Sequence, residues 1–218
     1  MDARNTLSQH LIVGIFSLGL ASVFKFLLNI SWTVSFARVS YILLFLILII
    51  GPITRMKKPT KEALPLFAPW SWRGELGIWF TLTALIHFII LLNARAFSSL
   101  IHIGGEGYGL ANLLGLIALF WALILTVTSF GKVIEFLGVC LWKWLHGLTH
   151  AVFYLVSGHF IYFQFFSTYG GGGADWFGYL AVVMAIIIIV LQLVTFVLMI
   201  TKYNKNRECA ISTSSQLS

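Results

Sequence analysis

The chain has 218 residues, of which 59% are hydrophobic and only 10% are charged. A soluble domain of this size neither needs nor tolerates that balance, so most of its surface is expected to face lipid. The net charge of +7 sits in short basic clusters beside apolar runs, which argues against a nucleic-acid partner and for topology signals meeting anionic headgroups.

Inside hydrocarbon every backbone polar group must find an internal partner, which leaves helical bundles and closed barrels. Long unbroken apolar runs lack the alternation of barrel strands, so the expected class is an all-α integral membrane protein. Spanning the hydrocarbon core takes about 20 helical residues. Six segments approach this length: Leu11 to Asn29, Phe36 to Ile53, Leu76 to Leu92, Leu110 to Ser129, Leu141 to Phe166 and Trp176 to Ile200. Residues 1–218 therefore read as a single six-helix transmembrane domain, with a short tail over 201–218. The first segment shows no small-residue cleavage site, and Lys25 near its far end suits a snorkelling side chain, so it reads as a helix of the mature bundle.

Arg55, Lys57, Lys58, Lys61 and Arg73 crowd the second connection, Lys132 and Lys143 flank the fourth, and Lys202, Lys205 and Arg207 follow the last helix. With Arg4 they make eleven of the fourteen basic residues, against Arg38 and Arg95 in the odd-numbered connections. The positive-inside rule then puts both termini in the cytoplasm, in agreement with six crossings. The second connection carries three prolines and paired tryptophans, as an interfacial loop would. The glycine run from Gly170 to Gly173 lacks the lysine and preceding strand of a phosphate-binding loop, and reads as a turn. Cys140 and Cys209 form no ligand-spaced pair.

Ligand-type side chains inside a membrane are costly and mark function by default. His87, His146, His150 and His159 qualify, whereas His10 and His102 fall outside the hydrocarbon. With a rise of 1.5 Å per residue, His87 lies roughly 9 Å and His159 roughly 10 Å below the outer ends of the third and fifth helices. Two imidazoles at matched depth on two helices suit a bis-axial b-type haem. His146 lies roughly 20 Å deeper along the fifth helix, in a second layer with no histidine facing it, and roughly 140° away on the wheel from His159. His150 is one turn from His146, where an inner ligand, a quinone hydrogen-bonder and a histidine bonded to a backbone carbonyl all remain open. Arg38, at the outer end of the second helix, suits either a haem propionate or the outer headgroups. Glu106 and Asp175 read as solvated loop residues.

The segment LWKWLHGLTHAVFYLVSGHF resembles the fifth helix of the ferric reductase-like transmembrane family, with Trp142 or Trp144, then His146, then His159 thirteen residues later. Trp32, Ala37 and Arg38 before GPITR, RGELGIWFTLTALIHF with His87, and GLIALFWALILTVTS are similar to the second, third and fourth helices of one branch. That branch is the haem-binding membrane subunit of the bacterial methionine sulfoxide reductase system. The resemblance spans roughly Trp32 to Phe160; His150 is extra, and IHIGGEGYG replaces a basic-Pro-Tyr element of the branch. It implies an inner-membrane electron-transfer subunit holding haem b at His87 and His159, with His146 for a second haem. Electrons would come from a cytoplasmic flavin reductase, with FMN or FAD held by that partner, or from quinol, and would leave to an extracytoplasmic acceptor or partner reductase. A stand-alone ferric or cupric reductase, and a haem-free bundle that conducts protons or acts as a scaffold, are the competing expectations.

Overall fold

The computed structural model describes residues 3–56, 72–94, 97, 108–167 and 173–216. Most of the second connection, the third connection with His102 and Glu106, and most of the glycine run lie outside them. The described residues form helices α1 (Ala3–Phe26), α2 (Trp32–Met56), α3 (Arg73–Ala94), α4 (Tyr108–Val127), α5 (Gly131–Gly147), α6 (Thr149–Ile161) and α7 (Trp176–Gln216), with a π-helical turn at Tyr162–Phe166 after α6. No strand occurs among them.

Among the described residues, five helices are long and apolar enough to cross a bilayer: Leu7–Phe26, Trp32–Ile53, Arg73–Ala94, Gly109–Val127 and Trp176–Thr201. The chain is thus an all-helical, multi-pass membrane protein. The expected fifth segment is not one helix. It comprises the end of α5, then α6, then the π turn. At the junction the Leu148 N–H bonds to the Leu145 carbonyl at 3.0 Å, three residues back rather than four, while the Thr149 hydroxyl bonds to the His146 carbonyl at 2.7 Å. A glycine with poor helix propensity, followed by a hydroxyl that competes for the backbone, explains the break. Earlier in α5, Gly138 adopts φ 74° and ψ 151°, a conformation open to glycine alone, and bends that helix as well. The last helix runs beyond the expected Ile200 to Gln216, because no Pro or Gly follows to stop it.

Helix α2 is the hub. Its Val39, Tyr41, Leu43 and Leu44 are wholly buried, and it packs on α1, α3, α6 and α7. The Tyr41 hydroxyl meets the Ser157 hydroxyl of α6 and donates to the Ala181 carbonyl of α7, each at 3.1 Å, so three helices share one polar node. Its ring stacks on Phe160 at 5.2 Å. Contacts from α2 to α3, α3 to α4, α4 to α6 and α6 back to α2 close a ring of four helices, with α3 and α6 at opposite corners. By contrast α7 leaves Val183, Ile186, Val190, Leu193 and Phe196 exposed on its outer surface, an apolar face suited to lipid.

Candidate haem-type cavity

The four-helix ring borders a half-open cavity of about 350 Å³, within the range of roughly 300–1,000 Å³ typical of small-molecule sites. Its walls follow from helical periodicity. Helix α3 contributes Phe80, Ala84, His87, Phe88 and Leu91, residues spaced to share one face, and α4 contributes Asn112, Gly115, Leu116, Ala118 and Leu119. The opening turns of α2 add Thr33, Val34 and Ala37, and α6 adds Val156, His159 and Phe160. Beyond Ile161 the π turn brings Phe163 and Gln164 onto the same wall, and Phe163 meets the His159 ring edge-on at 4.9 Å. The cavity therefore lies where α2 and α4 begin and α3 and α6 end.

His87 and His159, expected to be level, line this one cavity from opposite corners of the ring. Their hydrogen bonds define their tautomers. His87 Nδ1 is 2.8 Å from the Thr33 carbonyl, and His159 Nδ1 is 2.7 Å from the Ala111 carbonyl. A carbonyl only accepts, so each Nδ1 carries the proton and donates it, leaving a lone pair on each Nε2. A backbone carbonyl that fixes the tautomer through the second ring nitrogen is the usual support of a metal-binding histidine.

Gly115 makes room for this arrangement. A Cβ at Gly115 would stand 2.8 Å from Nδ1 and 2.9 Å from Cε1 of His159, so the ring lies directly on the α4 backbone. The one buried side-chain nitrogen of the cavity wall with no partner in the protein, among the described residues, is Nδ2 of Asn112, a residue 6% exposed. Neither residue stood out in the sequence. A glycine among apolar residues and an asparagine near a helix start are unremarkable until α6 is laid against α4.

The remaining candidates lie elsewhere. His146 is not part of the wall; its ring packs on Trp142 at 4.5 Å and its Nε2 is 3.4 Å from the Thr128 hydroxyl. His150 donates from Nδ1 to the Gly147 carbonyl at 3.2 Å, three residues back, and also lies outside the wall. His10 sits within α1, away from the cavity.

Arg38 is nearly wholly buried, but its guanidinium pairs with Asp175 and is ringed by Phe24, Trp176 and Phe177, with its carbon 5.0 Å from the Phe177 centroid. Asp175, expected to be a solvated loop residue, is instead a junction. Its second oxygen accepts the N–H groups of Phe177 and Gly178 at 3.1 and 3.0 Å, capping α7. Its own N–H reaches Oε1 of the cavity residue Gln164 at 3.4 Å. The link from Arg38 to the cavity thus runs through Asp175 and Gln164, and Arg38 itself is not in the wall.

No cluster of three or more metal-ligating side chains occurs among the described residues. A bis-histidine haem site, needing two, is the metal chemistry that this donor set fits. The other fitting features are apolar walls and a glycine cradle under one ring. Comparison of the chain with known protein families and with curated proteins finds no match to either.

Proposed function

We propose that the chain is a b-type cytochrome, the six-helix membrane subunit of an oxidoreductase, holding haem b between His87 and His159. The observation that carries this reading is the pair of imidazoles in one apolar cavity, each with Nδ1–H committed to a backbone carbonyl and Nε2 available as a ligand. Bound there, haem supplies one-electron transfer. The chain's own residues tie the two rings at Nδ1 and exclude water with Phe80, Phe88, Phe160 and Phe163. The likeness of helices two to five to ferric reductase-like membrane subunits supports the same reading, as does the basic-residue bias that puts both termini in the cytoplasm.

In this reading the protein sits in the inner membrane and the cavity lies toward the outer face. Electrons arrive from quinol or from a cytoplasmic flavin reductase and leave to an extracytoplasmic acceptor or partner reductase. The broken segment through α5, α6 and the π turn is the sixth crossing. Its α6 portion buries Val152, Phe153, Ser157 and Phe160 inside the bundle, as a spanning element would.

A second reading rests on the same hydrogen bonds. His87 ties α3 to α2 and His159 ties α6 to α4, so both can serve as interhelical glue in a haem-free bundle. The reduced-minus-oxidised absorbance spectrum of protein purified from haem-replete cells separates the two. Low-spin b-type Soret and α bands are expected, lost or shifted in His87→Ala and His159→Ala and retained in His150→Ala. A colourless preparation would leave only the second reading.

A further inference from the structure

Helix α5 stands apart from the bundle. None of its 17 residues is buried, and among the described residues its main packing partner is α4, the helix before it. It turns large apolar side chains outward: Phe136 is 88% and Trp144 69% exposed, and Val139 and Leu141 are exposed as well. Lys132, Glu135 and Lys143 are exposed on the same helix. Phe136 lies one turn beyond Lys132, and Trp144 lies beside Lys143, so apolar and cationic side chains share the outer surface on both sides of the Gly138 bend.

Length decides where this surface lies. As one continuous helix, Gly131 to Phe166 would extend roughly 54 Å, nearly twice the hydrocarbon thickness of about 30 Å. Thr149 to Phe166 alone extend roughly 27 Å, close to that thickness. No Asp, Glu, Lys or Arg occurs from Trp144 to Ala174, whereas α5 holds three charged side chains before that point. Three residues separate Gly131 from Val127, where the α4 span ends, and Leu148 alone separates α5 from α6. Helix α5 is therefore surplus to the crossing and is tied at both ends to one surface of the bilayer. In water it would leave four large apolar side chains solvated. Against lipid they are covered, while the lysine stems lie along the apolar surface and their ammonium groups reach the headgroups.

We propose that α5 is an interfacial helix lying in the headgroup layer, with Phe136, Val139, Leu141 and Trp144 sunk to the acyl boundary and Lys132 and Lys143 paired with anionic lipid headgroups. The charges are complementary, and a tryptophan beside a lysine is an ordinary interfacial anchor. The sixth crossing is thereby confined to α6 and the π turn, with α5 as its approach along the surface. The assignment does not depend on haem; the basic-residue bias makes the leaflet the cytoplasmic one.

The exposed Cys140, one turn before Trp144, serves as the probe. Full-length Cys209→Ser protein is spin-labelled there and reconstituted into phosphatidylcholine vesicles with or without phosphatidylglycerol. Electron paramagnetic resonance reads collisions with oxygen, which concentrates in lipid, and with a water-soluble nickel chelate. Oxygen collisions are expected to exceed nickel collisions at Cys140, and the nickel collisions to fall further when phosphatidylglycerol is present. Lys132→Gln with Lys143→Gln should abolish that response to phosphatidylglycerol. Phe136→Ser with Trp144→Ser should raise nickel collisions; both side chains are exposed, so folding is expected to survive.

Nickel collisions exceeding oxygen collisions in the parent protein would put α5 in water and overturn the proposal. Few collisions with either reagent would overturn it too, since a protein surface would then cover the helix; spin–spin broadening would identify that surface as a second copy of the chain. Depth indifferent to phosphatidylglycerol would overturn the pairing of the lysines with anionic headgroups. A colourless preparation ends the haem reading and leaves these outcomes untouched.

Discussion

At Gly115 a methyl group would stand 2.8 Å from Nδ1 of His159, closer than side-chain carbons approach a ring nitrogen. Alanine there would gain about 1 kcal/mol of helix propensity, but overpacking costs about 1–3 kcal/mol, and the ring must also leave the Ala111 carbonyl to make room. Gly115→Ala is therefore expected to lower the thermal midpoint and, in the haem reading, to shift or weaken the low-spin bands. Gly77, with nothing within 4 Å of its Cβ position, is the control: Gly77→Ala should leave the spectrum unchanged. A Gly115→Ala protein with wild-type bands and stability would show that the ring does not rest on α4. Residue count along the helices suggested His87 and His159 as a pair, and the structure puts both in one cavity wall. Gly115 was not legible, because it acquires meaning only from His159, more than forty positions away.

Among the elements, the start of α7 shows most clearly how local and distant interactions combine. Asp175 caps two N–H groups of the helix it precedes and pairs with Arg38 of α2, so one carboxylate closes a helix and fastens it to the hub. Arg38 keeps Nε and Nη1 buried without partners, which makes the pair with Asp175 its main compensation. Removing one partner of a fully buried ion pair costs about 3–5 kcal/mol, but Asp175 is 40% exposed, so water relieves part of that penalty. Asp175→Asn, which preserves a capping oxygen, is expected to cost about 1–3 kcal/mol on this ground. Asp175→Ala should cost about 1 kcal/mol more for the lost cap. Thermal unfolding in detergent measures both, and equal stability of Asn and wild type would mean that Arg38 does not depend on the charge. The sequence pattern located α7 but not this fastening. A lone aspartate after a glycine run looks like loop until Arg38 is brought against it.

For the whole molecule, parity is the decisive quantity. Among the described residues, five helices satisfy the length and hydropathy of a bilayer crossing, and five crossings would put the termini on opposite faces. If the broken segment of α5, α6 and the π turn also crosses, the termini share a face. The basic residues favour the second arrangement: Arg4 and the Lys202, Lys205 and Arg207 group should lie together on the cytoplasmic side. Tags at the two ends, probed by impermeant labelling of intact and opened cells, are expected to react only after opening. Labelling of one tag in intact cells would reduce the count to an odd number and leave the broken segment on one side of the bilayer.

Hydropathy and helical rise act along the chain, so the sequence by itself determined the helical class, the membrane setting, most helix boundaries and the candidate pairing of His87 with His159. The interruption of the fifth segment was only partly legible, because Gly147 and Thr149 weaken a helix without specifying which carbonyls their neighbours will satisfy. Tertiary structure decided the rest. It committed Nδ1 of each histidine to a carbonyl on another helix, gave Arg38 to Asp175, left Asn112 with an unmet amide in the cavity wall, and kept His146 and His150 outside that wall. Each of these outcomes depends on which side chains meet across helices, where a shift of a few tenths of an ångström separates a hydrogen bond from a clash.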